Sequence, residues 1–90
     1  MFRVEWLEAA LNQLAQGWLE ADAELREAIT AAASLLERDL ALDPQESGES
    51  RDKGRRFHLV APLGAHFSVD ADKKCVTVLG VRVVRKRGSR

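Results

Sequence analysis

The 90-residue chain has no tyrosine, one cysteine, two prolines and two histidines, and nowhere does it approach the ~18 consecutive apolar residues of a membrane span. Each shortage excludes something. A single cysteine, Cys75, cannot close an intramolecular disulfide, so the chain is no small secreted scaffold and a reducing cytoplasm suits it. Beside Val76 in a β-rich run, that cysteine reads as a small core residue rather than a nucleophile. The N-terminus, Phe2-Arg3-Val4-Glu5-Trp6, carries charge where a signal peptide needs an apolar run. Two histidines with no cysteine or aspartate at ligand spacing fall short of the three protein ligands of a catalytic zinc, so neither metal nor cofactor is expected.

Net charge is also lacking: 14 basic residues balance 14 acidic ones. The balance conceals a division. Residues 1–50 hold three arginines against eleven carboxylates, a net of −8, and residues 51–90 hold eleven Lys/Arg against three aspartates, a net of +8. Such asymmetry points to a polyanionic partner for the second half. What is present is an ordinary globular composition, 46% hydrophobic and 31% charged, in a length that allows one domain over residues 1–90, with 85–90 as a basic tail.

Residues 2–6 alternate apolar and charged, the pattern of a short strand with Phe2, Val4 and Trp6 on one face. Trp6, Leu7, Ala10, Leu11, Leu14 and Trp18 then recur at helical spacing, and Gly17 marks where that helix weakens or ends. Asp22 caps a second helix whose buried stripe is Leu25, Ile29, Ala32, Leu36 and Leu40, and Asp43-Pro44 stops it. A connection this short predicts an antiparallel helical hairpin. A polar loop over 44–54 leads to three strands, 56–60, 63–69 and 75–84. The order β-α-α-β-β-β predicts an α+β fold, an antiparallel sheet with both helices on one face.

Register decides what the other face carries. A three-residue loop, Pro62-Leu63-Gly64, would pair residue 59 with 67 and turn Phe57, Leu59, Ala65, Phe67 and Val69 toward the helices. Arg56 and His58 would then share the uncovered face with His66, and the parity that buries Leu79 and Val81 would add Arg82. Arg51, Lys53, Arg55 and Arg85 flank this set. Arginine grips phosphate bidentately and histidine moves protons near neutral pH, so the face reads as an anion site. In this register Phe57 and Phe67 are assigned to the core and Trp6 and Trp18 to the stripe of the first helix, so none of them is left on the uncovered face for bases to stack on, and the histidines are the alternative.

The element order, together with Trp6-Leu7-Glu8-Ala9-Ala10, Asp43-Pro44, Gly48-Glu49-Ser50-Arg51, Gly54-Arg55-Arg56, Pro62-Leu63-Gly64 and Val76-Thr77-Val78-Leu79, resembles the RelE/ParE superfamily of bacterial toxins. The resemblance spans nearly the whole chain. It implies the toxic half of a type II toxin–antitoxin (plasmid stabilization) module, restrained by a small cognate antitoxin and causing growth arrest when released. RelE-like members are mRNA endoribonucleases acting at the ribosome through a basic cluster. ParE-like members poison DNA gyrase without it.

The positions that match the RelE-type cluster are Arg56 and His58, with Arg82 or Arg85. The third-strand arginine of many such nucleases is replaced around Gly64-Ala65-His66, and their C-terminal tyrosine has no counterpart here. On the nuclease reading, the 2′-hydroxyl attacks the adjacent phosphorus without a metal. His58 or His66 takes its proton, with Glu49 a weaker candidate; Arg56 and Arg82 stabilise the phosphorane, and Arg51, Lys53, Arg55 and Arg85 hold flanking phosphates. The gyrase reading, and a non-catalytic module that binds antitoxin or nucleic acid, remain as alternatives.

Overall fold

The alternating residues at the N-terminus form β1 (Arg3–Trp6), with Val4 and Trp6 half-buried against the core and Arg3 and Glu5 outward. The computed structural model describes residues 1–50 and 54–84. Helix α1 (Glu8–Leu19) starts without a side-chain cap. Its entry is fixed instead by the Leu7 amide, which donates to the Val78 carbonyl at 3.1 Å. Helix α2 (Ala23–Leu42) has the expected cap, Asp22, whose carboxylate accepts from the Leu25 amide at 2.9 Å. Arg26 closes the hairpin: it donates to the Trp18 and Leu19 carbonyls at 2.9 and 3.1 Å, and its guanidinium lies 4.3 Å from the Trp18 ring. Both carbonyls are at the C-terminus of α1, where partners within the helix run out, and the Trp18 carbonyl also accepts from the Ala21 amide at 3.2 Å.

Gly17 lies within α1 rather than at its end. A side chain there would stand 2.5 Å from Val83 Cγ2, so the glycine lets α1 lie close against the last strand. The buried stripe of α2, Ile29, Ala32, Leu36 and Leu40, is the expected one, with Leu25 half-buried. On α1 only Ala10 is fully buried, and Leu11 and Trp18 are 49% and 40% exposed. The two helices therefore splay into an apolar groove of about 640 Å³, lined by Leu11, Leu14, Trp18, Leu19, Ile29 and Ala33 among others.

Four further strands follow: β2 (Glu49–Ser50), β3 (Arg55–Val60), β4 (Leu63–Asp70) and β5 (Cys75–Val83). The sheet order is β1-β5-β4-β3-β2. The strand order after the hairpin is antiparallel as expected, but β1 joins β5 in parallel, so the sheet is mixed. β2, inside the segment read as a loop, adds a two-residue edge to β3. The core lies between sheet and hairpin, where Ala10, Leu36 and Leu40 meet Ala65, Phe67, Val76 and Val78. A second cluster joins Ala21, Ile29 and Ala32 to Leu63.

Two departures from the expected registers follow from packing. Residues 60 and 63 are paired across a two-residue turn, Ala61-Pro62, so Leu63 opens β4 fully buried instead of lying in a loop. Burying such a side chain stabilises by roughly 1.5–3 kcal/mol. Val60 is the only residue of β3 that packs against the core clusters; with its side fixed by Leu63, alternation turns Phe57 and Leu59 to the open face, where Leu59 is 51% exposed. In β5 the pairing jumps from Phe67–Val78 to His66–Gly80, a bulge at Leu79. Val78 and Val81 are thus both buried while Leu79 is only half-buried, which corrects the simple parity that sent it inward.

Candidate functional site on the open sheet face

The shift in β3 separates the residues that sequence parity brought together. Arg56 and His58 alternate with Phe57 and so share the side of Val60, facing the helices and the β2 segment. Arg56 is committed there: it donates to the Ser47 and Gly48 carbonyls, each at 3.2 Å, and to Ser50 Oγ at 2.9 Å. His58 pairs with Asp39 of α2, Nε2 to Oδ2 at 3.1 Å, with its side chain 20% exposed. The two imidazoles lie on opposite faces rather than sharing the uncovered one. The physical reason is the turn, because changing its length by one residue inverts every side chain of the strand before it.

The open face carries a different group. Phe57 is paired with His66 across β3 and β4, and their ring centroids are 4.8 Å apart at 55°. Arg82, placed outward on β5 as expected, holds its guanidinium 5.8 Å from the Phe57 ring centroid. Gly64, paired with both Leu59 and Arg82, makes room for the ring: a Cβ there would lie 2.6 Å from Phe57 Cζ. Arg55 is exposed on the same face, opposite Ser68. Among the described residues neither the His66 nor the Arg82 side chain makes a hydrogen bond or ion pair. An exposed imidazole and guanidinium against one aromatic ring can hold a phosphate and accept a proton.

Phe57 is the residue that sequence reasoning missed. The available signal was Leu63, too apolar to leave in a loop. Arg51, Lys53 and Arg85 lie outside the described residues, so the flanking basic set is represented here by Arg55 alone. Glu49 is in β2, opposite Phe57. Cys75 is half-buried at the start of β5. Its neighbour Arg3 is held above the ordinary arginine value, first by Glu5 and then by Cys75. Among the described residues no three His, Cys, Asp or Glu come together to hold a metal ion, and no helix is long and apolar enough to cross a membrane.

A two-helix hairpin packed on one face of a five-stranded sheet defines an α+β architecture, and comparison gives that architecture a name. No family model matches the chain and no curated protein matches it in sequence. Among solved structures, it is similar to the RelBE2 toxin–antitoxin complex from Mycobacterium tuberculosis, with TM-score 0.72, 16% identity, and 91% of this chain and 90% of that one covered. The chromosomal ParDE system of P. aeruginosa gives TM-score 0.74 at 19% identity, covering 94% and 98%. The isolated E. coli RelE toxin gives 0.62 at 17%, covering 96% and 87%. The chain has the RelE/ParE fold.

Proposed function

We propose that residues 1–90 form the toxin of a type II toxin–antitoxin pair, and that it acts in the cytoplasm as an RNA-directed endoribonuclease. The observation that carries the RNA reading is the exposed His66 beside Phe57, with Arg82 on the neighbouring strand of the uncovered face. His66 takes the proton of a ribose 2′-hydroxyl as the oxygen bonds to the adjacent phosphorus. The bond from phosphorus to the 5′-oxygen breaks, that oxygen takes a proton from water, and a 2′,3′-cyclic phosphate is left. Arg82 stabilises the charge on the phosphorane oxygens. Arg55, with Arg51, Lys53 and Arg85, holds neighbouring phosphates, so RNA affinity falls steeply as salt rises.

A second reading rests on Arg56 and His58, which are held by Ser47, Gly48, Ser50 and Asp39 rather than offered to substrate. A toxin of this fold that lacks the wider cluster fits a gyrase poison, as the likeness to the ParDE system also allows. Expression of His66→Ala and Arg82→Ala variants separates the two readings, with growth arrest and mRNA cleavage on translating ribosomes measured beside gyrase supercoiling. Loss of cleavage and of arrest in both is expected. Full toxicity in both, with supercoiling blocked, refutes the nuclease.

Either reading includes a cognate antitoxin. The groove between α1 and α2 is apolar, with Glu37 at its wall held by the Trp6 indole at 2.9 Å, and it suits the apolar side of an amphipathic segment. A second, acidic segment suits the open sheet face. Rescue of growth by the product of a short reading frame beside this gene is the expected result.

A further inference from the structure

We propose that the groove between α1 and α2 takes an amphipathic helix of another chain, whose apolar side enters the groove and whose flanks are cationic. This rests on the antitoxin reading above for the source of the helix, and it adds what that reading left open, the sign of the segment's charge. Ala10 is the one fully buried residue of α1, which leaves Leu11, Leu14, Trp18 and Leu19 to wall the groove opposite Ile29 and Ala33. A second hollow of about 360 Å³, bordered by Arg26, Glu27 and Ala31, shares Trp18, Thr30 and Ser34 with the first, so the depression continues across α2. Contiguous exposed apolar surface of this kind marks an interaction site, and a hollow between two helices suits a third. Helix α1 rises roughly 17 Å from Glu8 to Leu19, a length that about three turns of a partner helix match.

Three of the polar groups bordering the groove already have partners. The Glu37 carboxylate accepts from the Trp6 indole, the Thr30 hydroxyl donates to the Arg26 carbonyl at 3.0 Å, and the Arg26 guanidinium is held by the Trp18 ring and two carbonyls. A polar side chain pressed in there would give up its water for little, so the entering side of the partner is apolar. The rim sets the sign of the rest. Residues 8–42 hold seven carboxylates against two arginines, a net of −5, and both arginines are engaged, Arg26 at the hairpin turn and Arg38 at 4.0 Å from Asp39. Glu8, one turn before Leu11, and Glu27, in the second hollow with Trp18, make no side-chain hydrogen bond or ion pair among the described residues. Lysine or arginine on the partner's flanks would meet these carboxylates and lay its apolar stem over the rim, whereas acidic flanks would be repelled. A second copy of this chain presenting the same acidic layer is disfavoured by the same rule.

The test uses two helical peptides without tryptophan, alike in a stripe of leucines at helical spacing and differing only in flanks of lysine or of glutamate. Each is titrated into the full chain and followed by the fluorescence of Trp6 and Trp18, its two tryptophans, which both line the groove. At low salt the lysine peptide should shift the emission to the blue and bind about tenfold more tightly than the glutamate peptide, the product of two or three exposed charge pairs. High salt should shrink that advantage, because pairs so exposed are screened. Glu8→Gln combined with Glu27→Gln should shrink it as well. Leu11→Gln, which keeps a helix former at the position, should weaken the lysine peptide about tenfold. If that variant does not fold, Leu19→Gln, at a more exposed position, decides. Equal affinity for the two peptides at low salt, or an advantage that survives both high salt and loss of the two carboxylates, overturns the proposal. Unchanged binding in the folded leucine variants overturns it too. A product of the adjacent reading frame that binds wild type and these variants equally well would overturn this inference alone, and lysine-peptide binding without binding of that product would overturn the antitoxin reading alone.

Discussion

Replacing Gly64 by alanine should destabilise the protein only while Phe57 keeps its ring. The added methyl group would sit 2.6 Å from Phe57 Cζ and 3.0 Å from Cε1, inside any ordinary contact, and the ring must give way. Overpacking of this kind costs about 1–3 kcal/mol. Against it stands the loss of glycine's freedom in the unfolded chain, which stabilises by about 0.4–1 kcal/mol where the backbone suits alanine. The net expectation is a loss of about 1 kcal/mol, a Tm decrease of about 4–8 °C for a domain of this size. In a Phe57→Ala background the obstruction is gone and only the favourable contribution remains, so Gly64→Ala should raise Tm by a few degrees. The coupling between the two changes, about 1–3 kcal/mol, is read from a double-mutant cycle by thermal unfolding. A three-residue loop with Phe57 in the core gives another result, since alanine at a left-handed loop position costs the same with or without the ring. Equal effects of Gly64→Ala in the two backgrounds would refute the register on which the open-face site depends.

Further perturbations test other joints. Gly48→Ala combines a left-handed backbone, φ +71°, with a Cβ that falls on the Phe57 carbonyl, so a loss of at least about 2 kcal/mol is expected in urea unfolding. Gln13→Ala removes the Oε1 that accepts from the Val81 amide at 2.8 Å; a loss of about 1–3 kcal/mol and faster hydrogen exchange at Val81 should follow, with Gln13→Glu retaining most of the stability. Asp39→Ala strips His58 of its partner and should cost about 1 kcal/mol by thermal unfolding, while Asp39→Asn, still an acceptor, should cost less. Arg26→Ala loses the Trp18 ring contact and two carbonyl hydrogen bonds, and a Tm decrease of several degrees would confirm that the hairpin turn depends on them.

The element order was legible because each signal is local. Asp22 caps, Asp43-Pro44 stops, and the stripe from Ile29 to Leu40 repeats at helical spacing. The division of charge also indicated which layer faces the solvent with cations. The parallel pairing of β1 with β5 was not legible, since it joins residues some seventy positions apart and no periodicity encodes a partner. The candidate site was half legible. His66 and Arg82 fall on the open face as their parity demanded, but Arg56, His58 and Phe57 depend on a turn length that Pro62 and Gly64 leave ambiguous. Only the burial of Leu63 and the packing of half-buried Val60 against the core, long-range properties, resolve it. On α1 the apolar stripe was real, yet periodicity cannot tell a face packed against a sheet from one lining a groove.

The parallel pairing also orders events during synthesis. Among the described residues β1 precedes every other strand, and the one strand it pairs with is β5, which follows all the others. Leu7, at the mouth of α1, and Gln13, midway along it, likewise bond to residues of that final strand. A nascent chain without β5 therefore has an N-terminal strand with nothing to pair and a first helix missing the strand to which it bonds. The face bearing His66 cannot be completed either, because Arg82 comes from the same late segment. A chain stalled before residue 75 lacks both the partner of β1 and the strand that carries Arg82.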